Sequence, residues 1–288
     1  MRRGAGQSHS GRASARPTEA EREARIDAIP GLRARIAAHQ VISDVVANGH
    51  ALDERFAPGA VPNRTQGLDA RDKALVRSIA TVAVRRLGAV RRVMSQLLDK
   101  GLPRNAGQLE WMLIVGLAQV LFMDTPDHAA VDLAVRAAKS DPKTAGFSGL
   151  INALLRNAIR EREALLADCD PLKVEAPPWL AQRWRKAWGE ERAREIAAAH
   201  LLEPTLDLTV KDDAEGWAKR LGGAVLPTGS VRIESHAPVP ELEGYALGRW
   251  WVQDAAAALP ARLLKFAPGA RVLDLCAAPG GKTAQLAE

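Results

Sequence analysis

The segment Leu109-Glu110-Trp111-Met112-Leu113-Ile114-Val115-Gly116-Leu117-Ala118-Gln119-Val120-Leu121-Phe122-Met123 is apolar on every side when wound into a helix. Such a helix has no face to give to water, so it predicts the centre of a helical bundle. With Glu110 and Gln119 inside it, the run falls short of the roughly 20 apolar residues that span a bilayer. A membrane protein is therefore not expected.

Working outward, the flanking segments are one-sided. Leu75, Val76, Ile79, Val82, Ala83 and Leu87 recur every three or four residues, with Lys73, Arg77 and Arg85 on the other face. Val90, Val93, Met94, Leu97 and Leu98 continue the pattern until Gly101 and Pro103. On the far side, Thr125 as N-cap and Pro126 as first helical residue open a helix carrying Val131, Ala134, Val135 and Ala138, and Leu150 to Ile159 supplies another. An all-α bundle over residues 25–165 follows. Residues 1–24, rich in Gly, Ser, Arg and then Glu, hold too little apolar surface to order themselves and are expected to form a flexible basic arm.

Beyond the bundle the composition changes. Asp168 to Pro178 holds three prolines and several acids, as an exposed linker would. Trp179 to His200 reads as helix, Leu206 to Val210 as strand, and Asp213 to Leu221 as a short helix stopped by Gly222 and Gly223. Ser230 to Glu234 and Trp250 to Val252 read as strands, so residues 166–250 form a linker and small α+β connector. From 251 a helix over Asp254 to Phe266 leads to an apolar strand at Arg271 to Leu275, a Gly/Pro turn, and the first turn of a helix at Thr283. Strand, glycine turn and helix are the opening unit of a doubly wound, Rossmann-like α/β domain, which needs several further units to close. The sequence is accordingly expected to be an N-terminal fragment.

The 288 residues carry 40 Lys and Arg against 34 Asp and Glu, a net charge of +6. Between Arg71 and Arg92 seven cations face one acid, which equals the surplus of the whole chain. Clustered cations of this kind make sequence-independent contacts to nucleic-acid phosphates, and Arg77, Arg85, Arg91 and Arg92 are the candidates for RNA contact, with Arg86 turned toward the apolar face. Met1 to Arg16 lacks the apolar core of a secretory signal. Cys169 and Cys276 offer neither a disulfide framework nor metal-ligand spacing, and the six histidines show none. A cytoplasmic, metal-free, monomeric protein is expected. Trp184 and Trp188, four apart on one helix, and Trp111 in the buried one are expected to pack in cores.

The sharpest chemical feature is Asp274-Leu275-Cys276-Ala277-Ala278-Pro279-Gly280-Gly281-Lys282-Thr283. A strand ending in small residues lets backbone approach a ligand closely, with N–H groups at the following helix start facing its negative group. The stretch misses a phosphate-binding P-loop at one fixed position, where Cys276 replaces Gly, and Pro279 removes an N–H that a phosphate cradle would use.

Together with Val252-Gln253-Asp254 upstream, this stretch closely resembles the cofactor loop of the Fmu/Sun (RsmB-like) family of RNA cytosine-5 methyltransferases. Residues 71–87, Leu109 to Lys139 and Gly149 to Asn157 resemble the NusB-like RNA-binding bundle at the N-terminus of that family. Pro178-Trp179-Leu180, Trp188-Gly189-Glu190 and Pro204-Thr205 are similar to its connecting region. The likeness departs at Leu208-Thr209-Val210-Lys211, where the family commonly has Arg-Val-Asn. The resemblance implies that S-adenosyl-L-methionine is held by Asp274, Cys276, Ala277, Ala278, Pro279, Gly280, Gly281 and Lys282. In it, Asp274 supports the loop and can face the sulfonium, and Lys282 contacts the carboxylate. The substrate it implies is small-subunit (16S) ribosomal RNA.

Cytosine C5 is a weak nucleophile, so enzymes of this family add a thiolate at C6, which sends electron density to C5. The resemblance places the two cysteines involved downstream, in Thr-Cys and Pro-Cys contexts that match nothing in residues 1–288. No catalytic residue is therefore assigned, and the fragment alone is expected to be inactive. Cys169 between Asp168 and Asp170 has neighbours that suppress thiolate formation. The rival reading is an RNA-binding, antitermination-type module without catalysis.

Overall fold

The computed structural model describes residues 18–57, 59–235, 237–267 and 269–288. The chain forms two compact units that meet in sequence between Leu201 and Leu202.

The first unit is helical. It runs through α1 (Glu19–Asp27), α2 (Leu32–Val46), α3 (Ala70–Arg85), α4 (Leu87–Leu97), α5 (Leu109–Phe122), α6 (Asp127–Ser140) and α7 (Ser148–Arg160). Three shorter or broken helices follow: α8 (Arg162–Ala167), α9 (Pro171–Val174) and α10 (Pro178–Ala199). The all-round apolar helix sits where its composition demands: α5 packs on α2, α3, α4, α6 and α7, and eleven of its residues are buried. Its one polar core side chain, Gln119, donates from Nε2 to the Val115 carbonyl at 3.1 Å. Gly116 makes the close approach to α7 possible, because a Cβ there would lie 2.8 Å from Leu155 Cδ1.

Three expectations are corrected here. The arm expected through residue 24 is helical from Glu19. Thr18 and Glu21 form a capping box, and Ile26 packs with Leu32 and Ala137, which supplies the apolar contact that composition alone understated. Residues 1–17 of that arm lie outside the described residues. Pro126 is the N-cap of α6 rather than its first helical residue, with ψ of 125°, and Thr125 makes no cap. The stretch 168–178 is docked, not a free linker. Leu172 is buried, the Glu175 carboxylate accepts from Ala89 N at 3.2 Å, and a Cβ on Gly88 would stand 1.9 Å from the Val174 carbonyl. Only glycine lets this backbone reach α4, so the docking signal lay in Gly88 and not in the proline-rich stretch itself.

The second unit holds β1 (Leu206–Val210), α11 (Ala214–Leu221), β2 (Ala224–Val225), β3 (Val231–Ile233), β4 (Trp250–Val252), α12 (Ala255–Leu263) and α13 (Gly281–Ala287). The sheet is antiparallel in the order β2-β3-β1-β4, with Leu208 opposite both Val231 and Val252. Its core is Leu208, Trp217, Ala218, Val231, Ile233 and Trp250. The helix at 214–221 stops as read, with Gly222 at φ 68°. Asp207, buried on β1, takes a two-pronged bond from Arg232 (2.7 and 2.8 Å) and a third from Ala255 N at 3.1 Å, tying strand to α12.

The strand expected over Arg271 to Leu275 is absent. The segment is without regular structure, with Leu273 80% and Leu275 85% exposed. A strand exists only through ladder bonds to a neighbour, and none of the four described strands pairs with it. The observed architecture is thus a helical unit plus a small antiparallel sheet with helices, and a parallel, Rossmann-like sheet is not observed among the described residues.

Candidate functional site

Residues 274–283 form a loop closed on itself by one side chain. Asp274 accepts from Cys276 N at 3.0 Å through one oxygen and from the Thr283 hydroxyl at 2.7 Å through the other. The carboxylate thereby joins the start of the loop to α13. Gly280 holds φ 113°, a left-handed geometry that a side chain would strain.

Cys276, Ala277, Ala278, Pro279, Gly280, Gly281 and Lys282 all line a cavity of about 590 Å³ within the second unit. The opposite wall comes from Tyr245, Trp251, Gln253 and Asp254. Seven of the eight residues expected at the cofactor site are brought together on this cavity. Asp274 lies behind the loop, with both oxygens already occupied.

Gln253 and Asp254 of the far wall belong to the stretch read with the loop, whereas Tyr245 and Trp251 were not singled out by the sequence. Trp250 and Trp251 both border the cavity from β4, Trp250 as a buried member of the sheet's core and Trp251 as the more open of the two. Gln253 is 7% exposed, and its oxygen accepts from Thr209 Oγ1 at 2.8 Å and Trp251 Nε1 at 2.9 Å. Its amide nitrogen donates to Gln285 Oε1 at 3.2 Å. This side chain therefore links β1, β4 and α13 behind the loop. The departure at Leu208 to Lys211 has a structural counterpart, since Thr209 is the residue that holds Gln253. Asp254 accepts from Ala256 N and Ala257 N and caps α12.

The four candidate arginines of the first unit differ in their surroundings. Arg77 lies 3.5 Å from Asp53 and 4.6 Å from the centre of the Phe56 ring. Arg91 pairs with Glu110 at 3.1 Å, and Arg92 lies 4.0 Å from Asp168. Arg85 has no ion-pair partner among the described residues and lines a separate groove with Trp184 and His200. Arg86 covers the Phe122 ring at 5.0 Å, in keeping with its position toward the apolar face.

Of the two thiols, Cys169 donates to the Leu165 carbonyl at 3.7 Å, and burial pushes its pKa up, with Arg92 opposing and Glu175 and Asp168 adding to the rise. Cys276 is exposed at the cavity. Among the described residues no group of three or more His, Cys, Asp or Glu is arranged to hold a metal ion, and no helix is long and apolar enough to cross a membrane.

Residues 32–160, the body of the helical unit, match the NusB family. Over most of its length the chain is also similar to longer curated proteins. Ribosomal RNA small subunit methyltransferase B of Xylella fastidiosa (strain Temecula1) is 36% identical over 270 residues, 90% of this chain and 60% of that protein. Its namesake in Klebsiella pneumoniae (strain MGH 78578) is 34% identical over 266 residues, 88% of this chain and 60% of that protein. This chain therefore spans about 60% of the length of the curated relatives it matches. The fold also matches the crystal structure of PH0851, with a TM-score of 0.56, 21% identity, and coverage of 90% of this chain and 61% of that one.

Proposed function

We propose that this chain is the RNA-gripping and cofactor-loop portion of an S-adenosyl-L-methionine-dependent methyltransferase acting on C5 of a cytosine in small-subunit (16S) ribosomal RNA. One observation carries the reading: the loop with the most specific family likeness, 274–283, lines a cavity of about 590 Å³. That volume falls in the usual range for small-molecule sites.

The residues present fit such a cofactor. Ala277, Ala278, Gly280 and Gly281 leave the loop backbone uncovered, Tyr245 and Trp251 offer apolar surface for an adenosine, and Lys282 offers a cation to a carboxylate. When bound, S-adenosylmethionine supplies the methyl group. Asp274 acts by holding the loop, and Gln253 by holding the wall behind it. Arg77, Arg85, Arg91 and Arg92 are proposed to meet RNA phosphates, with the paired ones exchanging a protein carboxylate for a phosphate. Neither Cys169 nor Cys276 is given the nucleophile's role, because one is held as a thiol by burial and the other sits in the cofactor loop.

The test is methyl transfer by the polypeptide of the complete reading frame, from labelled S-adenosylmethionine to 16S rRNA, with the modified base identified by mass spectrometry. 5-Methylcytidine that disappears in Gly280→Val and falls in Asp274→Ala is the expected result. RNA binding without any methyl incorporation would instead support the non-catalytic NusB-type module, whose basis is the family match over 32–160.

A further inference from the structure

Resting on the RNA reading above, we infer that the groove between the end of α3 and α10, which is broken at Gly189, binds one unpaired nucleotide of RNA, with its base against Trp184 and His200 and its phosphate on Arg85. The groove has a volume of about 200 Å³. Its aromatic component is a tilted pair, with the Trp184 and His200 ring centroids 5.3 Å apart at 44°. Pro177, Leu180 and Leu201 complete its apolar walls.

Three features favour RNA over a protein segment. Arg85 belongs to the chain's most cation-rich stretch and, alone of the four candidate arginines, has no carboxylate partner among the described residues. A guanidinium left without an anion beside an aromatic floor is the pairing that recognises a base and its flanking phosphate. The acid in the groove, Glu175, does not supply the missing anion. One of its oxygens accepts from Ala89 N, the other is buried, and burial pushes its carboxyl up toward the neutral form. Trp184 itself was expected in a core, yet it is only partly buried at the margin of the Leu172, Ala181, Ala193 and Ala197 cluster. The ring thus reaches both the protein interior and the groove.

The experiment uses the 288-residue chain and a short fluorescein-labelled single-stranded RNA, with binding followed by anisotropy across a salt series. Arg85→Gln is expected to weaken binding several-fold and to lower the salt slope by about one, the signature of one lost phosphate contact. His200→Ala, a change at an exposed side chain, should weaken binding roughly five-fold or more with the salt slope unchanged, because stacking is not ionic. Trp184→Phe should retain affinity that Trp184→Leu loses. Photocrosslinking of 4-thiouridine-substituted RNA should label the peptide containing Trp184 or His200. Wild-type binding that none of these variants alters overturns the groove while leaving the RNA reading intact. Lost thermal stability with unchanged RNA affinity would mark the groove as packing surface and overturn it as well. No RNA binding by the wild-type chain overturns both readings.

Discussion

Leu113 in the helical unit and Leu275 in the sheet unit are the same residue type, both in segments read from sequence as buried, yet the first is fully buried and the second is 85% exposed. The helices of residues 32–160 satisfy their backbone internally and need only side-chain contact, so α5 is covered by α2, α3, α4, α6 and α7 without any ladder partner. The segment at 271–275 needs hydrogen-bonded neighbours before it can hide anything, and the described strands are already paired with one another. The two units are alike in a different respect. Each fixes a loop or strand with a two-pronged Arg–Asp bond on a nearly buried carboxylate, Arg64–Asp44 in the first and Arg232–Asp207 in the second. Each unit thus secures one nearly buried carboxylate in the same way, while the two leucines differ.

Truncating the bundle centre sharpens this contrast most. Leu113→Ala should lower unfolding stability by about 2–5 kcal/mol, the range for emptying a filled core position. A urea titration followed by α-helical circular dichroism would register it as a lower midpoint. A loss below 1 kcal/mol would mean that the bundle is not the tightly packed partner in the comparison.

Asp207→Ala should cost roughly 3 kcal/mol, the low end for breaking a buried pair, because Arg232 can still reach water. The loss should be local. Hydrogen exchange should rise in peptides covering β1, β3 and the start of α12, which the carboxylate joins, while α5 peptides keep their protection. Asn at 207 should recover part of the loss through its remaining acceptor.

Acid should separate the units. Burial lowers the His39 pKa from 6.5 to about 4, with Arg64 adding to the fall and Asp141 and the Gln108 side chain opposing it. The folded bundle therefore keeps His39 neutral where the unfolded chain takes up a proton. Stability of the first unit should fall by on the order of 2–3 kcal/mol as pH drops from about 6.5 to about 4. Glu175 works with the opposite sign, since its raised pKa favours the folded form at lower pH, so the measured quantity is the difference from His39→Leu. Asp44 and Asp207 are both held below the usual carboxylate range by their arginines, so their contributions persist down to about pH 4 and are lost only as pH falls through the folded values. Equal acid sensitivity of both units above pH 4 would contradict this assignment.

How far the sequence could be read follows the same division. Periodicity located α3 to α7 and the central helix because a helix carries its hydrogen bonds and its buried stripe in one continuous segment. Gly222 and Asp254 marked element ends for equally local reasons. The docking of 168–178 was hidden because it depends on the missing side chain of Gly88, 86 or so positions away in sequence from the carbonyl it admits. At the candidate site, the loop and Val252-Gln253-Asp254 could be read as a motif, whereas Trp251 and Tyr245 could not, since no spacing in the sequence ties them to the loop whose cavity they share. The pairing state of Arg77, Arg91 and Arg92 was equally hidden, because Asp53, Glu110 and Asp168 come from other elements.

The smallest expected effect breaks or keeps the comparison at its weak end. Leu275 is 85% exposed and makes no described ladder contact, so Leu275→Ser should change the stability of the 288-residue chain by less than about 0.5 kcal/mol, the ordinary range for surface substitutions. If, as proposed, this chain is part of a longer methyltransferase, the same substitution in the longer polypeptide tests whether 271–275 gains neighbours there. If further strands pair with it, the leucine becomes a core residue, and the cost should rise toward the 2–5 kcal/mol expected of Leu113→Ala. A thermal melt of the two variants against their parents reads the difference directly. Equal, negligible effects in both lengths would show that the loop's apolar approach stays at the surface. In that case the bonds of Asp274 to Thr283 and Cys276 would be what closes loop 274–283, and the proposed site would rest on the second unit as it stands here.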